Sequence, residues 1–117
     1  MKRLTDLEQL KKFIDDNSDL LWDAGCVGIR GDDFIPKSKF RKSRYHGDEK
    51  KYYQLDGVSC ISVSNNCYWE EILRAIELAN GYGDNIFLII GRDYEYGDDH
   101  AEVVIKDHKI LAVLPNA

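Results

Sequence analysis

The sequence predicts a single α+β domain, in which N-terminal helices precede a mainly antiparallel sheet and one amphipathic helix lies between strands. Apolar residues recur at helical spacing in residues 7–14 and 69–79, which predicts a helix in each. Residues 60–64 alternate apolar and hydroxyl side chains, and residues 86–90 are apolar throughout; both patterns are typical of strands. The chain has 117 residues, enough for one hydrophobic core and too few for two, so we treat 1–117 as one domain.

Composition excludes several classes of protein. Hydrophobic residues make up 44% and charged residues 32% of the chain, which is typical of a globular protein and excludes a disordered tail. An apolar run such as 86–90 is far too short to span a bilayer. The amino terminus is followed at once by Asp6 and Glu8 and lacks the apolar core of a secretory signal, so we expect a cytoplasmic protein.

The three cysteines are Cys26, Cys60 and Cys67. They cannot all pair with one another, and none forms a Cys-x-x-Cys pair. A free cysteine in a reducing compartment behaves as a small apolar residue. We therefore expect reduced, buried thiols and predict no metal site.

Residues 1–25 form the expected helical N-terminal part. Thr5 and Glu8 have the spacing of a capping box, in which each side chain accepts a backbone N–H, and the helix should run to about Asp16. A second short helix is predicted at 19–23, before Gly25. It should carry three apolar residues inward: Leu20, Leu21 and Trp22.

Residues 26–31 are predicted to form a strand, and 36–51 a basic surface loop without helical or strand period. Its cations are Lys37, Lys39, Arg41, Lys42, Arg44, Lys50 and Lys51. The net charge of −5 argues against a general nucleic-acid binder. Phe40 and Tyr45 could stack on bases within this window, but nucleic acid is the less favoured partner.

The rest of the chain is predicted as a series of strands around one helix. Asp56-Gly57 indicates a hairpin turn between 52–55 and 58–64. The helix at 69–79 should end at Asn80-Gly81, and the buried strand at 86–90 should be followed by a turn-rich loop at 91–99. Residues 102–106 and 109–114 are predicted to close the chain as a second hairpin.

Three short motifs lie along this framework in order: Ile29-Arg30-Gly31, then Ser62-Val63-Ser64, then Glu102 at the start of a strand. Together with the elements between them, they resemble the arginine, serine and glutamate motifs of ADP-ribosyltransferases, over roughly residues 26–113. The resemblance implies an ADP-ribosyltransferase-like fold whose three strands line a cleft for NAD. It also implies transfer of ADP-ribose to a target, or hydrolysis of NAD.

The resemblance also implies roles for individual residues. Glu102, Ser62 and Arg30 would be catalytic, and Arg30, Gly31, Ser62 and Ser64 would bind NAD. A glutamate that holds the ribose hydroxyls can stabilise the positive charge that develops on the ribose in the transition state. A guanidinium offers a planar set of donors to a phosphate or ribose.

The same residues have ordinary structural interpretations. Two hydroxyls on one face of a strand are commonly its polar side, and Arg30 could form a surface ion pair with Asp32 or Asp33. A glutamate at the start of a strand commonly faces solvent. Glu95, on the predicted loop at 91–99, is the second choice for the catalytic carboxylate.

The chain departs from the family pattern in ways that leave the target open. His100 stands where members that modify arginine or asparagine usually carry Glu or Gln, and Val63 stands where threonine is more common. The spacing from Arg30 to Ser62 is short. Tyr45-His46-Gly47 resembles the histidine motif of the other ADP-ribosyl branch, and the two assignments exclude each other.

The second hypothesis is a non-catalytic interaction protein, for example an inhibitor encoded by a phage or mobile element, whose acidic face binds a basic partner surface. Acidic residues cluster in 15–23 and 93–102. Dense carboxylates can compete for protein sites that normally bind phosphates. A protein target or partner is expected under either hypothesis.

Overall fold

The computed structural model describes residues 1–44, 52–97 and 101–116. Within these ranges the elements are β1 (Lys2–Arg3), α1 (Leu7–Asp16), α2 (Ser18–Trp22), β2 (Cys26–Asp32), β3 (Lys39–Arg44), β4 (Tyr52–Val63), α3 (Trp69–Ala79), β5 (Asn85–Gly91), β6 (Tyr94–Tyr96), β7 (Glu102–Ile105) and β8 (Lys109–Pro115). The strand order is β1-β8-β5-β2-β4-β7-β6, and β3 pairs with β4. Of the described strand pairs, only β1–β8 is parallel. The prediction of an α+β domain with a mainly antiparallel sheet is confirmed.

The residue that caps the N-terminus of helix α1 is Asp6, one residue after the predicted Thr5. Asp6 has an extended backbone, and its Oδ1 accepts the N–H of Gln9 at 2.9 Å. The amide oxygen of Gln9 in turn accepts the N–H of Thr5 at 2.9 Å. The assignment of Thr5 and Glu8 as the capping pair is therefore wrong, because Asp6 and Gln9 satisfy the free backbone N–H groups instead.

The N-terminal part also differs from the prediction in two further respects. It is not helical throughout, because β1 precedes α1 and lies parallel to β8. Helix α2 buries Leu21 fully, whereas Leu20 is 44% and Trp22 is 62% exposed. A helix of five residues presents a narrow stripe to the core, so one of the three expected apolar residues lies inside.

Helix α3 matches its predicted bounds. Ile72, Ala75 and Ala79 are buried on the face that packs against β2 and β4. Gly81 follows the helix with φ +95°, the left-handed conformation that commonly ends helices. The three described helices have 10, 5 and 11 residues, and none has the length and apolar character needed to cross a membrane.

Two predictions around the basic window are wrong. Residues 39–44 form strand β3 rather than part of a loop, and they pair with β4 from Lys39↔Gly57 to Arg44↔Tyr52. Residues 45–51 of the predicted loop lie outside the described residues. Residues 52–63 form one strand rather than a hairpin, because Gly57 continues the strand beside Val104 and Ile105 of β7. A Cβ at Gly57 would lie 2.7 Å from Val104 Cγ1, so close packing explains this glycine.

The C-terminal strands also pair differently from the prediction. Residues 94–96 of the predicted loop form β6, while 98–100 lie outside the described residues. Strands β7 and β8 do not form a hairpin with each other, since β7 pairs with β4 and β6 and β8 pairs with β5 and β1. The turn between β7 and β8 is instead attached to the residues that follow β5. The Asp107 carboxylate accepts the backbone N–H groups of Arg92 and Asp93 at 2.9 Å.

The core has two parts, one on each face of the sheet. On the first face, α1, α2 and α3 cover strand residues such as Val27, Ile29 and Leu88. The second part is formed by strand residues: Cys26, Val58, Cys60, Phe87, Ile89, Val103, Ile105 and Val113, each at most 6% exposed. These residues come from both ends of the strand order, and Gly91 of β5 lies directly against Ile105 of β7. The sheet therefore curls around the second part of the core.

We predict that Asp107→Asn destabilises the protein in a pH-dependent way. Hydrogen bonds from the backbone N–H groups of Asp93 and Arg92 hold the pKa of Asp107 below its ordinary value of 3.8. A lowered folded pKa means that the stabilisation is present above pH 3.8 and is lost as the pH falls through the folded pKa. At neutral pH we expect a loss of about 1 kcal/mol, or about 4 °C in Tm.

Thermal unfolding from neutral to acidic pH tests this, with the exposed helix carboxylate change Asp15→Asn as the control. The difference between wild type and Asp107→Asn should shrink at acidic pH. A difference that is the same at all pH values would contradict a role for the carboxylate charge.

Candidate functional site

The three strands that carry the predicted motifs are neighbours in the sheet, in the order β2-β4-β7. Strand β2 pairs with β4 only from Val27↔Val63 to Ile29↔Ile61, but it stays paired with β5 as far as Asp32↔Asn85. β2 and β4 therefore separate after Ile29. This separation creates a space between two strands that are otherwise held in one sheet.

A pocket of about 450 Å³ lies at this separation. Its strand side is formed by residues 29–31 of β2 and 59–61 of β4, and α3 and the turn after it contribute Leu78, Ala79 and Tyr82. Ala101 and Glu102 complete the lining at the start of β7. Small-molecule sites commonly have volumes of about 300–1,000 Å³, so the pocket is large enough for a ligand.

Arg30 spans the gap between the separating strands. Its Nη1 donates to the backbone O of Ser59 at 2.6 Å, and its Nε and Nη2 donate to Asp32 Oδ2 at 3.0 and 2.9 Å. The two side chains of this ion pair are 15% and 18% exposed. Within the described part of the chain, these contacts use three of the five guanidinium N–H groups. The structural interpretation of Arg30 as the partner of Asp32 is confirmed.

Gly31 also lines the pocket, and packing explains it. A Cβ at this position would overlap with the backbone O of Ala79 and lie 3.3 Å from Tyr82 Cβ. The absence of a side chain lets the end of α3 rest directly on β2. Gly31 thus brings the wall formed by Ala79 and Tyr82 next to Arg30.

The two predicted serines lie outside the pocket lining. Ser62 is opposite Gly28, whereas Glu102 is opposite Ile61, so strand alternation puts Ser62 and Glu102 on different faces of the sheet. Ser64 follows the last residue of β4, and its backbone N–H and hydroxyl both donate to the Glu71 carboxylate of α3. Ser62 and Ser64 are therefore not among the residues that line the pocket with Glu102.

The two candidate carboxylates have different surroundings. Glu102 is half-buried and lines the pocket. Glu95, the second choice, lies on β6 and forms an ion pair with Lys106 Nζ at 3.0 Å, 43% exposed. The hydrogen bond to Glu95 raises the pKa of Lys106. Of the two candidate carboxylates, Glu102 is therefore the one that lines the pocket.

Sequence analysis did not identify Leu78, Ala79 and Tyr82 as site residues. Leu78 is 53% and Tyr82 is 71% exposed, which is unusual for large apolar and aromatic side chains at the end of an amphipathic helix. The sequence signal was present: Leu78 interrupts the polar face of α3, and Tyr82 lies between two glycines. Neither feature indicates a pocket without knowledge of the strand separation opposite it.

The cysteines are free and buried, as predicted. Burial raises the pKa of Cys60 to about 12 and those of Cys26 and Cys67 to about 11. Although Cys60 borders the pocket, its thiol donates to the backbone O of Val58 and is not a nucleophile at neutral pH. Among the residues that the structure describes, no group of His, Cys, Asp or Glu is arranged to hold a metal ion.

Two predicted features lie outside the described residues. They are His100, which precedes the glutamate motif, and Tyr45-His46-Gly47, which resembles the other branch. Comparison of the chain with family models, curated proteins and solved structures returned no match. Any functional conclusion therefore depends on the geometry of the pocket and the chemistry of its residues.

We predict that the three thiols resist modification in the folded protein. At pH 8 a thiol of pKa about 11 or 12 is almost entirely protonated, so an aromatic disulfide reagent should react at least about 100-fold more slowly than with free cysteine. Denaturant should restore the normal rate at all three sites. Rapid labelling of one cysteine in the native protein would show that its thiol is accessible and contradict this result.

We also predict that Gly31→Ala destabilises the protein by about 2 kcal/mol, or about 8 °C in Tm, because the added methyl group overlaps with the carbonyl of Ala79. Gly81→Ala is the control: nothing lies within 4 Å of its Cβ, so it carries only the strain of positive φ, about 1 kcal/mol. Equal losses for the two variants in thermal unfolding would contradict close packing at Gly31.

Proposed function

We propose that the protein is a small ADP-ribosyltransferase-like domain that binds NAD in the pocket between β2, β4 and the end of α3. The observation that carries the proposal is that Arg30, which reaches across the strand separation to Ser59, and Glu102 both line one pocket, although 72 positions separate them in sequence. The adjacency of the arginine, serine and glutamate strands adds support. The pocket volume is in the range of ligand sites, although a complete dinucleotide would extend beyond it.

The proposed reaction breaks the bond between the nicotinamide nitrogen and C1′ of the ribose. Nicotinamide leaves with the bonding electron pair, and positive charge develops on the ribose. Water or a nucleophilic side chain of a target then bonds to C1′ and loses a proton. The Glu102 carboxylate would hold the ribose hydroxyls and stabilise the positive charge, which is greatest in the transition state.

Arg30 would contact a phosphate or ribose hydroxyl of NAD. Its contacts with Asp32 and Ser59 hold the guanidinium in one orientation, and such preorganisation lowers the entropy lost on binding. Its positive charge is partly neutralised by Asp32, so a contribution to orientation is favoured over a large contribution to affinity. Ser62 and Ser64 have no direct role in this proposal because they lie outside the pocket lining.

The second candidate is the non-catalytic interaction protein with an acidic binding face. One observation favours it: Arg30 and Ser64, two of the residues assigned to NAD, have internal partners that account for them structurally. Under this hypothesis the motifs maintain the fold, and function depends on surface carboxylates such as Asp93 and Glu95. Reversing these two charges should then abolish partner binding while leaving any NAD chemistry unchanged.

We predict that the purified protein releases nicotinamide from NAD and that Glu102→Gln lowers the rate by at least about 100-fold. The amide keeps the shape of the side chain but cannot stabilise a cation as a carboxylate does. Release of nicotinamide is measured by chromatography, and binding of NAD is measured separately by thermal shift. Glu95→Gln is the matched control, because Glu95 forms its ion pair outside the pocket.

NAD should raise the Tm of wild type and of both variants, whereas only Glu102→Gln should lose turnover. If millimolar NAD neither raises the Tm nor releases nicotinamide, the enzyme proposal is wrong. Equal loss of activity in Glu95→Gln and Glu102→Gln would also contradict the assigned role.

A further inference from the structure

Part of the basic segment 36–51, predicted as a loop, forms strand β3. Strand β3 pairs with the first half of β4 over six residue pairs, Lys39↔Gly57 to Arg44↔Tyr52. Pairing of β4 with β7 begins only at Val58, and its pairing with β2 begins at Ile61. In the described part of the chain, residues 39–44 and 52–57 therefore form a two-stranded antiparallel ribbon, here called the basic ribbon.

The charge of the basic ribbon is opposite to that of the chain. The ribbon contains the cations Lys39, Arg41, Lys42 and Arg44, and the exposed Lys37 precedes it. Residues 37–44 contain no acidic residue. The opposite strand segment, 52–57, contributes one acidic residue, Asp56. The whole chain has 21 acidic and 16 basic side chains, so a run of five cations without an acidic residue contrasts with the charge of the rest of the chain. Such a distribution orients the protein toward a polyanion and repels the polyanion from the rest of its surface.

We propose that the basic ribbon binds double-stranded DNA. The major groove of B-form DNA is about 12 Å wide and admits a two-stranded β-ribbon, whose strands are about 4.8 Å apart. Four of the six residues of β3 are cationic, so the strand carries enough positive charge to neutralise several phosphates of the two backbones that border the groove.

The same geometry distinguishes DNA from other polyanions. Double-stranded RNA has a deep, narrow major groove that does not admit a ribbon, so it should bind more weakly than DNA. A flexible acidic polypeptide has no groove that could accept the ribbon. This inference is independent of the proposed NAD chemistry, because the described lining of the pocket comes from residues 29–31, 59–61, 78–79, 82 and 101–102 rather than from the basic ribbon.

Fluorescence anisotropy with a labelled DNA duplex of about 20 base pairs tests the proposal on the full chain. If each of the five cations neutralises one phosphate, log Kd should vary with log salt with a slope of about 4.5. Raising the salt from about 50 to about 200 mM should then weaken binding by about 500-fold. The double variant Lys39→Gln/Arg41→Gln should lower the slope by about 2 and the affinity at low salt by at least about tenfold.

Lys2→Gln/Lys12→Gln is the matched control, since it removes the same charge from exposed positions outside the basic ribbon and should leave the slope within about 0.5 of wild type. Circular dichroism checks the fold of each variant, and Lys42→Gln/Arg44→Gln replaces the first double variant if that variant unfolds. Three results would each overturn the proposal: no DNA binding at low salt, equal effects of the two double variants, or competition by polyglutamate or duplex RNA as effective as that by duplex DNA.

Discussion

Arg30 occupies the point at which β2 and β4 separate, and the rest of the site depends on this contact. An unfilled gap between two strands would leave backbone groups without partners, which is costly in the interior. The guanidinium donates to the backbone carbonyl of Ser59 on one side and to the Asp32 carboxylate on the other, so it satisfies one strand carbonyl at the gap. The gap can therefore persist as a pocket while the sheet remains continuous through β5 and β7.

The curl of the sheet explains why the pocket forms beside α3, on the face of the sheet that the helices cover. Strand residues bury the second part of the core themselves, because Gly91 brings β5 against Ile105 of β7 and Asp107 ties the adjoining turns together. Helices are therefore needed to cover apolar strand residues only on the first face of the sheet. On that face Gly31 allows the end of α3 to rest on β2, which puts Tyr82 beside the gap. The packing of Gly31 and Gly91 and the partly buried ion pair of Arg30 with Asp32 thus shape the pocket together.

Local sequence patterns correctly predicted the elements that bury one whole face or both faces. The periodicity of α3 and the apolar run of β5 were sufficient, because one face or both faces of each element are buried. The pattern at Asp56-Gly57 indicated a turn, but pairing with β3 and β7 over both halves of β4 keeps the chain extended. Strand β3 has no apolar alternation in its sequence, so only its pairing with the first half of β4 identifies it as a strand.

The site could be predicted only in part, because sequence patterns do not give the pairing of the strands. Arg30 and Glu102 could be proposed because short motifs follow one another in sequence, but only the register shows that Ser62 lies on the other face from Glu102. A shift of one residue in strand pairing reverses the face of every side chain, and sequence patterns do not specify register at that level. The contact of Ser64 with Glu71 of α3 likewise depends on tertiary structure.

Chemical-shift mapping of the isotopically labelled protein with NAD is the most direct test of the claim that the gap bridged by Arg30 is a ligand site. We expect the shifted backbone amides to cluster at residues 29–31, 59–61, 78–82 and 101–102, with the side-chain Nε–H of Arg30 among the largest changes. Shifts that cluster elsewhere on the surface, or no shifts at millimolar NAD, would contradict it.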